Sequence, residues 1–299
     1  MTTTSLREIA GTIQSQRTVE GGGFTVRRPF PTAQLDQIDP FLLLDEMGPA
    51  DYAPGKAVGA PSHPHRGFET VTYMLEGHML HEDHMGNKGH LRNGDVQWMT
   101  AGRGIIHSEM PQQESGLMRG FQLWLNLPAA EKMQDPAYLD LDPAQIPLAV
   151  IPQGLIKVIA GTLQSPADAK SPILPETTGP IRAASTQPVY LDLQLHSAAD
   201  LTLAVPAGHN ALIYPYEGEA WLDTHRVPLH HAGVLSDGDS LQLRTEGPAR
   251  IIVLAGKPLQ EPVVQYGPFV MNSVAEIEQA IQDYQQGRLT EGAAKVLQI

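Results

Sequence analysis

The sequence predicts an all-β protein whose two halves each form a β-barrel or a double-sheet jelly roll. Glycine and proline are abundant, at 28 and 25 of 299 residues, which is typical of short strands joined by turns rather than of a helical bundle. Segments of strand length that are β-branched, aromatic or alternately apolar recur along the whole chain. The halves also share a weak repeat, because residues 73–77 resemble residues 214–218 and residues 91–95 resemble residues 235–239. These observations predict two tandem barrels.

The first half carries the clearest strand signals. In the last predicted strand the apolar side chains alternate, so Gln122 and Trp124 share the opposite face. Residues 48–61 have the composition of a loop and form a candidate rim or lid. The polar residues 1–20 are read as a short helix or a loosely held arm. The predicted strands of this half are residues 41–47, 69–75, 95–99 and 120–127.

The second half again predicts strands, followed by one helix. Ser273 and Glu276 form a capping box, and the apolar residues after them recur at helical spacing until Gly287. We expect an amphipathic helix of about 14 residues, which is an ordinary helix length in globular proteins. The predicted strands are residues 148–159, 189–195, 201–205, 211–216 and 250–254.

Composition and charge exclude several classes of function. The formal net charge is -13 and the chain has no block of lysine or arginine, so we expect no direct binding to nucleic acid or to a membrane surface. The start of the sequence lacks the pattern of a signal peptide, and no apolar run reaches membrane-spanning length, which predicts a cytoplasmic protein. Because the chain has no cysteine, any metal must be bound by nitrogen and oxygen ligands.

Two short motifs in the first half predict a metal site. Side chains two apart in a strand share a face, so His63 and His65 point the same way, as do His107 and Glu109. Inward-facing residues from different strands meet inside a barrel, which would bring three imidazoles and one carboxylate around one divalent metal.

The remaining histidines and the second half are not expected to bind a metal. His81, His84 and His90 lie among polar residues and are interpreted as part of a loop between strands. In the repeat, the positions equivalent to His63 and His65 hold Ala204 and Pro206. Those equivalent to His107 and Glu109 hold Ile251 and Val253. None of these four side chains can be a metal ligand. We therefore expect one metal per chain, in an N-terminal barrel at residues 1–140. The C-terminal barrel at residues 141–299 would lack metal ligands and end in the amphipathic helix.

Longer runs around these motifs carry a family resemblance. Residues 63–73 (His-Pro-His-Arg-Gly-Phe-Glu-Thr-Val-Thr-Tyr) and 94–109 (Gly-Asp-Val-Gln-Trp-Met-Thr-Ala-Gly-Arg-Gly-Ile-Ile-His-Ser-Glu) resemble the pirin family of the cupin superfamily. Residues 41–47 and 261–272 match it too, so the resemblance extends over about residues 27–288. It implies a bicupin fold with the C-terminal helix against the N-terminal half. It also implies an iron-type metal bound by His63, His65, His107 and Glu109.

The resemblance leaves two functions open. Some pirins are reported to have quercetin 2,3-dioxygenase activity, and others act as metal- or redox-responsive regulators through protein partners. Three imidazoles and one carboxylate leave open positions on the metal, for which Fe(II) is the first candidate and Mn, Ni, Co, Cu or Zn are alternatives. The expected reactants are a flavonol-like substrate and O2, with Glu109 as metal ligand and as catalytic base. Glu69 is interpreted as an outer or weak ligand. A metal-dependent isomerase would use the same ligands, and we expect a monomer.

Overall fold

The computed structural model describes residues 5–112, 115–169, 173–183, 185–292 and 297–298. The described chain is dominated by β-strands, as predicted. In chain order the first strands are Ile9–Gln14 (β1), Gln16–Glu20 (β2), Phe24–Phe30 (β3), Phe41–Tyr52 (β4), Ala60–His65 (β5), Phe68–Glu76 (β6), Met79–Asp83 (β7), Lys88–Leu91 (β8), Val96–Thr100 (β9), Ile105–Pro111 (β10), Gly116–Asn126 (β11) and Ala137–Leu141 (β12).

The second part of the chain continues the same pattern. A short 3-10 turn at Pro143–Gln145 precedes it, and an α-helix, Val274–Gln285 (α1), follows most of its strands. These strands are Leu148–Ile151 (β13), Gly154–Ala160 (β14), Thr162–Leu163 (β15), Thr177–Thr178 (β16), Val189–Leu195 (β17), Ala199–Ala204 (β18), Asn210–Glu217 (β19), Ala220–Leu222 (β20), His225–Val227 (β21), His231–Leu235 (β22), Ser240–Thr245 (β23), Ala249–Gly256 (β24), Val264–Tyr266 (β25), Phe269–Met271 (β26) and Leu297–Gln298 (β27).

The strands form two compact units, each assembled from three segments. The N-terminal barrel unit contains Gln16–Pro31, Phe41–Pro143 and Leu259–Ile299, and the C-terminal barrel unit contains Met1–Ser15, Thr32–Pro40 and Ala144–Pro258. The predicted division into residues 1–140 and 141–299 differs from these units, because the first segment of the chain belongs to the C-terminal barrel unit and the last segment to the N-terminal barrel unit. β1 pairs with β22 of the C-terminal unit, and α1 packs on β26 of the N-terminal unit. The polar start of the chain therefore forms strands β1 and β2, where a helix or an arm was expected.

The N-terminal barrel unit contains two sheets. The larger has the strand order β2-β3-β4-β11-β6-β9-β12-β27, and the smaller has the order β5-β10-β7-β8. The predicted strands at residues 41–47, 69–75, 95–99 and 120–127 are confirmed as β4, β6, β9 and β11. Of the predicted loop at residues 48–61, residues 53–59 lie outside the strands, whereas the pairing of β4 with β11 continues to Tyr52 and the pairing of β5 with β10 begins at Ala60.

The C-terminal barrel unit repeats this topology. Its sheets have the orders β1-β22-β19-β24-β17-β14-β13 and β18-β23-β20-β21, so β17 to β24 correspond in order to β4 to β11. Gly94 lies between β8 and β9, whereas Gly238 lies between β22 and β23, so the repeat was misaligned there. The counterpart of β10 is β23, and Ile251 and Val253 belong to β24, the counterpart of β11. Strands β18 and β23 instead pair Leu201 with Leu243 and Leu203 with Leu241, which are fully buried.

The helix α1 has the predicted cap and one buried face. The hydroxyl of Ser273 accepts a hydrogen bond from the backbone N–H of Glu276, which satisfies one of the free donors of the first turn. Ile277 and Ala280 are buried against β26, and the helix ends before Gly287, whose φ is 70°. Helix α1 is too short to cross a membrane, and the described residues contain no other candidate span.

Candidate metal centre

Three histidines from two neighbouring strands converge in the N-terminal barrel unit. β5 and β10 are antiparallel, with His63 paired directly with His107 and His65 paired with Ile105. One ring nitrogen from each of His63, His65 and His107 lies within 4.8 Å of the others. Nitrogens bound to a single ion at about 2.1 Å lie roughly 3 to 4 Å apart, so small ring rotations would bring the three onto one metal. The structure thus brings together three of the four expected ligands.

The hydrogen bonds of these rings suit metal binding. His63 Nδ1 lies 2.7 Å from the carbonyl oxygen of Pro61, which can only accept, so Nδ1 carries a proton and Nε2 is the ring nitrogen left for a metal. Both ring nitrogens of His107 and Nδ1 of His65 are buried without a hydrogen-bond partner among the described residues. Burial lowers the pKa of His65 and of His107 well below the usual value, which keeps both imidazoles neutral. Neutral buried rings with unpaired nitrogens fit a divalent cation.

Glu109 lies beside the three histidines but outside their group. It is two residues after His107 on β10, and a register shift in the pairing with β5 separates the two positions. Its carboxylate accepts a hydrogen bond from Thr72 Oγ1 at 3.0 Å, and Gln122 Nε2 lies 3.4 Å from both carboxylate oxygens. Thr72 and Gln122 thereby orient the carboxylate toward the cavity, because Gln122 and Glu109 both line it.

Glu69 takes the opposite face of β6, so the expectation of an outer or weak ligand is wrong in this structure. Thr72, three residues further along β6, faces Glu109, and because an odd spacing puts two side chains on opposite faces of a strand, Glu69 points away from the histidines. Its carboxylate instead accepts a hydrogen bond from Thr100 Oγ1 at 2.7 Å. Burial raises the pKa of Glu69 to about 7.

The sequence predicts a polar loop around His81, but His81 is a buried residue of strand β7. It pairs with Glu109 across the sheet, and its ring lies 4.6 Å from that of His107 between centroids. Its Nε2 is 3.0 Å from the hydroxyl oxygen of Tyr138. The signal that could have located it is its spacing of two from Met79, which is also buried, since a polar loop has no such period.

A cavity of about 650 Å³ opens onto two of the histidines and Glu109. Its volume is in the usual range for a pocket that binds a drug-sized ligand. Trp124 forms one wall, with its ring 5.3 Å from that of His65, and Gln122 lines the same wall, as the alternation in β11 predicted. Apolar side chains of β3 and β4 cover much of the rest, namely Phe24, Val26, Leu43 and Met47.

An ion pair that the sequence did not reveal lies in the same cavity. Arg28 donates to both carboxylate oxygens of Asp45, from Nε at 2.7 Å and from Nη2 at 2.6 Å. Nη2 also lies 2.8 Å from the carboxylate of Glu20. Burial raises the pKa of Asp45 to about 6, although Arg28 acts to lower it. Arg28, Asp45 and Glu20 all line the cavity, which therefore combines an apolar wall with a charged one.

Comparisons with known proteins agree with this architecture. Residues 23–125 match the Pirin family model, and residues 190–290 match the model of the pirin C-terminal cupin domain. A Pseudomonas aeruginosa protein named "Putative quercetin 2,3-dioxygenase" is 47% identical over 90% of this chain and 93% of its own. Human pirin is 39% identical over 95% of this chain and 94% of its own. A crystal structure of quercetin 2,3-dioxygenase from Acinetobacter baumannii has a TM-score of 0.86 at 35% identity, covering 95% of this chain and 99% of that one.

Proposed function

Because the chain belongs to the pirin family of bicupin proteins, we propose that it is a metal-dependent dioxygenase that cleaves a flavonol of the quercetin type. The observation that carries the proposal is the convergence of three histidines beside a cavity that is large enough for such a substrate and that opens onto two of them. The relatives named for this activity, one by sequence and one by structure, support the substrate class.

In this proposal His63, His65 and His107 bind one divalent metal, and Glu109 is the fourth ligand. Such a metal supplies a Lewis acid and, if it is Fe(II), a redox partner for O2. Fe(II) is the first metal to test, and Mn, Ni, Co, Cu and Zn are the alternatives. Pro61 fixes the tautomer of His63, so that its Nε2 points its lone pair at the shared ligand position.

The protein's own groups prepare the substrate. A flat flavonol fits against the ring of Trp124, which lines the cavity beside His65. We assign to Glu109 the role of base: one of its carboxylate oxygens accepts the proton of the flavonol 3-hydroxyl group, while Thr72 and Gln122 keep the carboxylate in place. The apolar side chains of β3 and β4 exclude water from the ring system.

The test is turnover of quercetin under air by protein loaded anaerobically with Fe(II). We expect the long-wavelength absorbance of quercetin to fall, with one O2 consumed and one CO released per flavonol. The variant His107→Ala is expected to lose this activity. If the protein loaded with Fe, Mn, Ni, Co, Cu and Zn in turn consumes neither flavonol nor O2, the proposal is wrong. A metal- or redox-responsive binding protein is then the function to pursue.

A further inference from the structure

A polar row crosses the large sheet away from the candidate metal centre. Gln122 on β11 pairs with Thr72 on β6 on one side and with Asp45 on β4 on the other, and β3, which carries Arg28, follows β4. Neighbouring strands lie about 4.8 Å apart, so Asp45 lies about 5 Å and Arg28 about 10 Å from Gln122 across the sheet. Gln122 itself contacts Glu109. The row therefore extends about 10 Å from the side of the cavity that faces the metal centre.

The ion pair at the end of this row has hydrogen-bonding capacity to spare. Arg28 uses Nε and Nη2 on Asp45 and Glu20, and its Nη1 makes no hydrogen bond to any described residue. Each carboxylate oxygen of Asp45 accepts from Arg28 and retains a second lone pair. The two side chains are 17% and 6% exposed, and both line the cavity. A free donor and free acceptor lone pairs are thus both presented by this wall of the cavity.

Charge restricts what this place can bind. Among the charged side chains that line the cavity, Arg28 is positive and Asp45, Glu20 and Glu109 are negative. The protein groups around the cavity therefore carry a net negative charge. A ligand carboxylate would meet two carboxylates for one guanidinium, which is unfavourable. A neutral hydroxyl group can donate to Asp45 or accept from Arg28 Nη1, with no charge to desolvate.

We propose that Arg28 and Asp45 together recognise a phenolic hydroxyl group of the substrate, on the ring farthest from the metal centre. The substrate class is then a flat, neutral ring compound with chelating oxygens at one end and a hydroxyl group farther along the cavity, about 5 to 10 Å from Gln122 across the sheet. The inference rests on the proposed function for the position of the chelating end. A site built to hydrogen-bond a hydroxyl group discriminates strongly against analogues that lack it, because its polar groups are then left unpaired.

The first test varies the ligand and leaves the protein unchanged. Protein loaded with Zn(II), which has no redox chemistry, is titrated under nitrogen with quercetin and with 3-hydroxyflavone, which keeps the chelating oxygens but lacks the other hydroxyl groups. Binding is followed by calorimetry. We expect quercetin to bind at least about 10-fold more tightly, since hydrogen bonds to charged groups contribute about 1.5 to 3 kcal/mol. Equal affinity for the two compounds would overturn the proposal.

The second test varies the protein. In Asp45→Asn and Arg28→Gln the preference for quercetin should fall to about 3-fold or less, with little change in the affinity for 3-hydroxyflavone, because only the hydroxyl partner is altered. Arg27→Gln is the matched control, since Arg27 is the next residue of β3 and does not line the cavity. Breaking one partner of a buried ion pair can unfold a protein, so the double variant Arg28→Met, Asp45→Leu removes both charges together. A preference that survives in all three variants contradicts the proposal.

Parallel turnover assays with Fe(II) under air separate this inference from the proposed function. If wild-type protein shows the hydroxyl preference but does not cleave quercetin, the subsite stands and the dioxygenase proposal fails. If the wild type cleaves quercetin but binds quercetin and 3-hydroxyflavone with equal affinity, the dioxygenase proposal stands and the subsite is wrong. Failure of both compounds to bind overturns both.

Discussion

Replacing Glu69 with glutamine is expected to stabilise the protein at alkaline pH and to leave it unchanged near pH 4.5. The side chain is 7% exposed and accepts a hydrogen bond from Thr100 Oγ1 at 2.7 Å. Burial raises its pKa from 4.5 to about 7. One pKa unit corresponds to about 1.4 kcal/mol, so holding Glu69 ionised in the folded state costs about 3 kcal/mol above pH 7.

The sign follows from proton binding in the two states. Because the folded state binds this proton more tightly, the contribution of Glu69 to stability is greatest below pH 4.5 and is lost as the pH rises to 7. In Glu69→Gln the amide oxygen still accepts from Thr100, and no charge has to be buried. The variant should therefore gain up to about 3 kcal/mol over wild type at pH 8.

The assay is urea-induced unfolding of both proteins at pH 4.5, 6 and 8, under metal-free conditions. Other titrating groups, such as Asp45, are common to both proteins and cancel in the difference. Glu278→Gln is the control, because it makes the same substitution at an exposed position of α1. A difference between Glu69→Gln and wild type that is the same at all three pH values would refute the reasoning.

Three further predictions concern other groups of the N-terminal barrel unit. Glu109→Gln should retain metal while quercetin turnover falls by about 10² to 10⁴, because a general base is typically worth that much, and unchanged turnover would show that Glu109 is not the base. Lys132 Nζ donates to Gly67 O, Asn126 Oδ1 and Val270 O. Lys132→Met leaves these acceptors unpaired and should lower the free energy of unfolding by several kcal/mol, at about 1 to 3 kcal/mol per unpaired buried group. An unchanged urea midpoint would contradict this. A Cβ at Gly59 would lie 2.2 Å from the backbone oxygen of Glu109, so Gly59→Ala should displace β10 and weaken metal binding. Metal affinity is measured by equilibrium dialysis, and a wild-type value would show that β10 adjusts without cost.

Local patterns in the sequence were sufficient for the strands and for the histidines. His63 and His65 share a face because alternation is a property of any strand, and the paired register of β5 and β10 then brings His107 to them. The cap of α1 was likewise predictable, since Ser273 and Glu276 interact within one turn.

Features that depend on long-range pairing were not predictable in this way. The ion pair of Arg28 and Asp45 joins two neighbouring strands whose relative register no local pattern specifies. The placement of β1 at the edge of a sheet in the C-terminal barrel unit depends on its pairing with β22, more than 200 residues later. The repeat also failed at Gly238, because similar turn sequences recur between different pairs of strands.

The measurement that tests the central claim most directly is the metal content of the protein after anaerobic loading with Fe(II) and removal of unbound metal. The account predicts one metal per chain in the wild type and none in the double variant His63→Ala, His107→Ala, because the loss of two of three converging imidazoles leaves no site. The single variant His84→Ala is the control, since His84 lies outside the group. A stoichiometry near two, or metal retained by the double variant, would contradict a single centre built on these histidines.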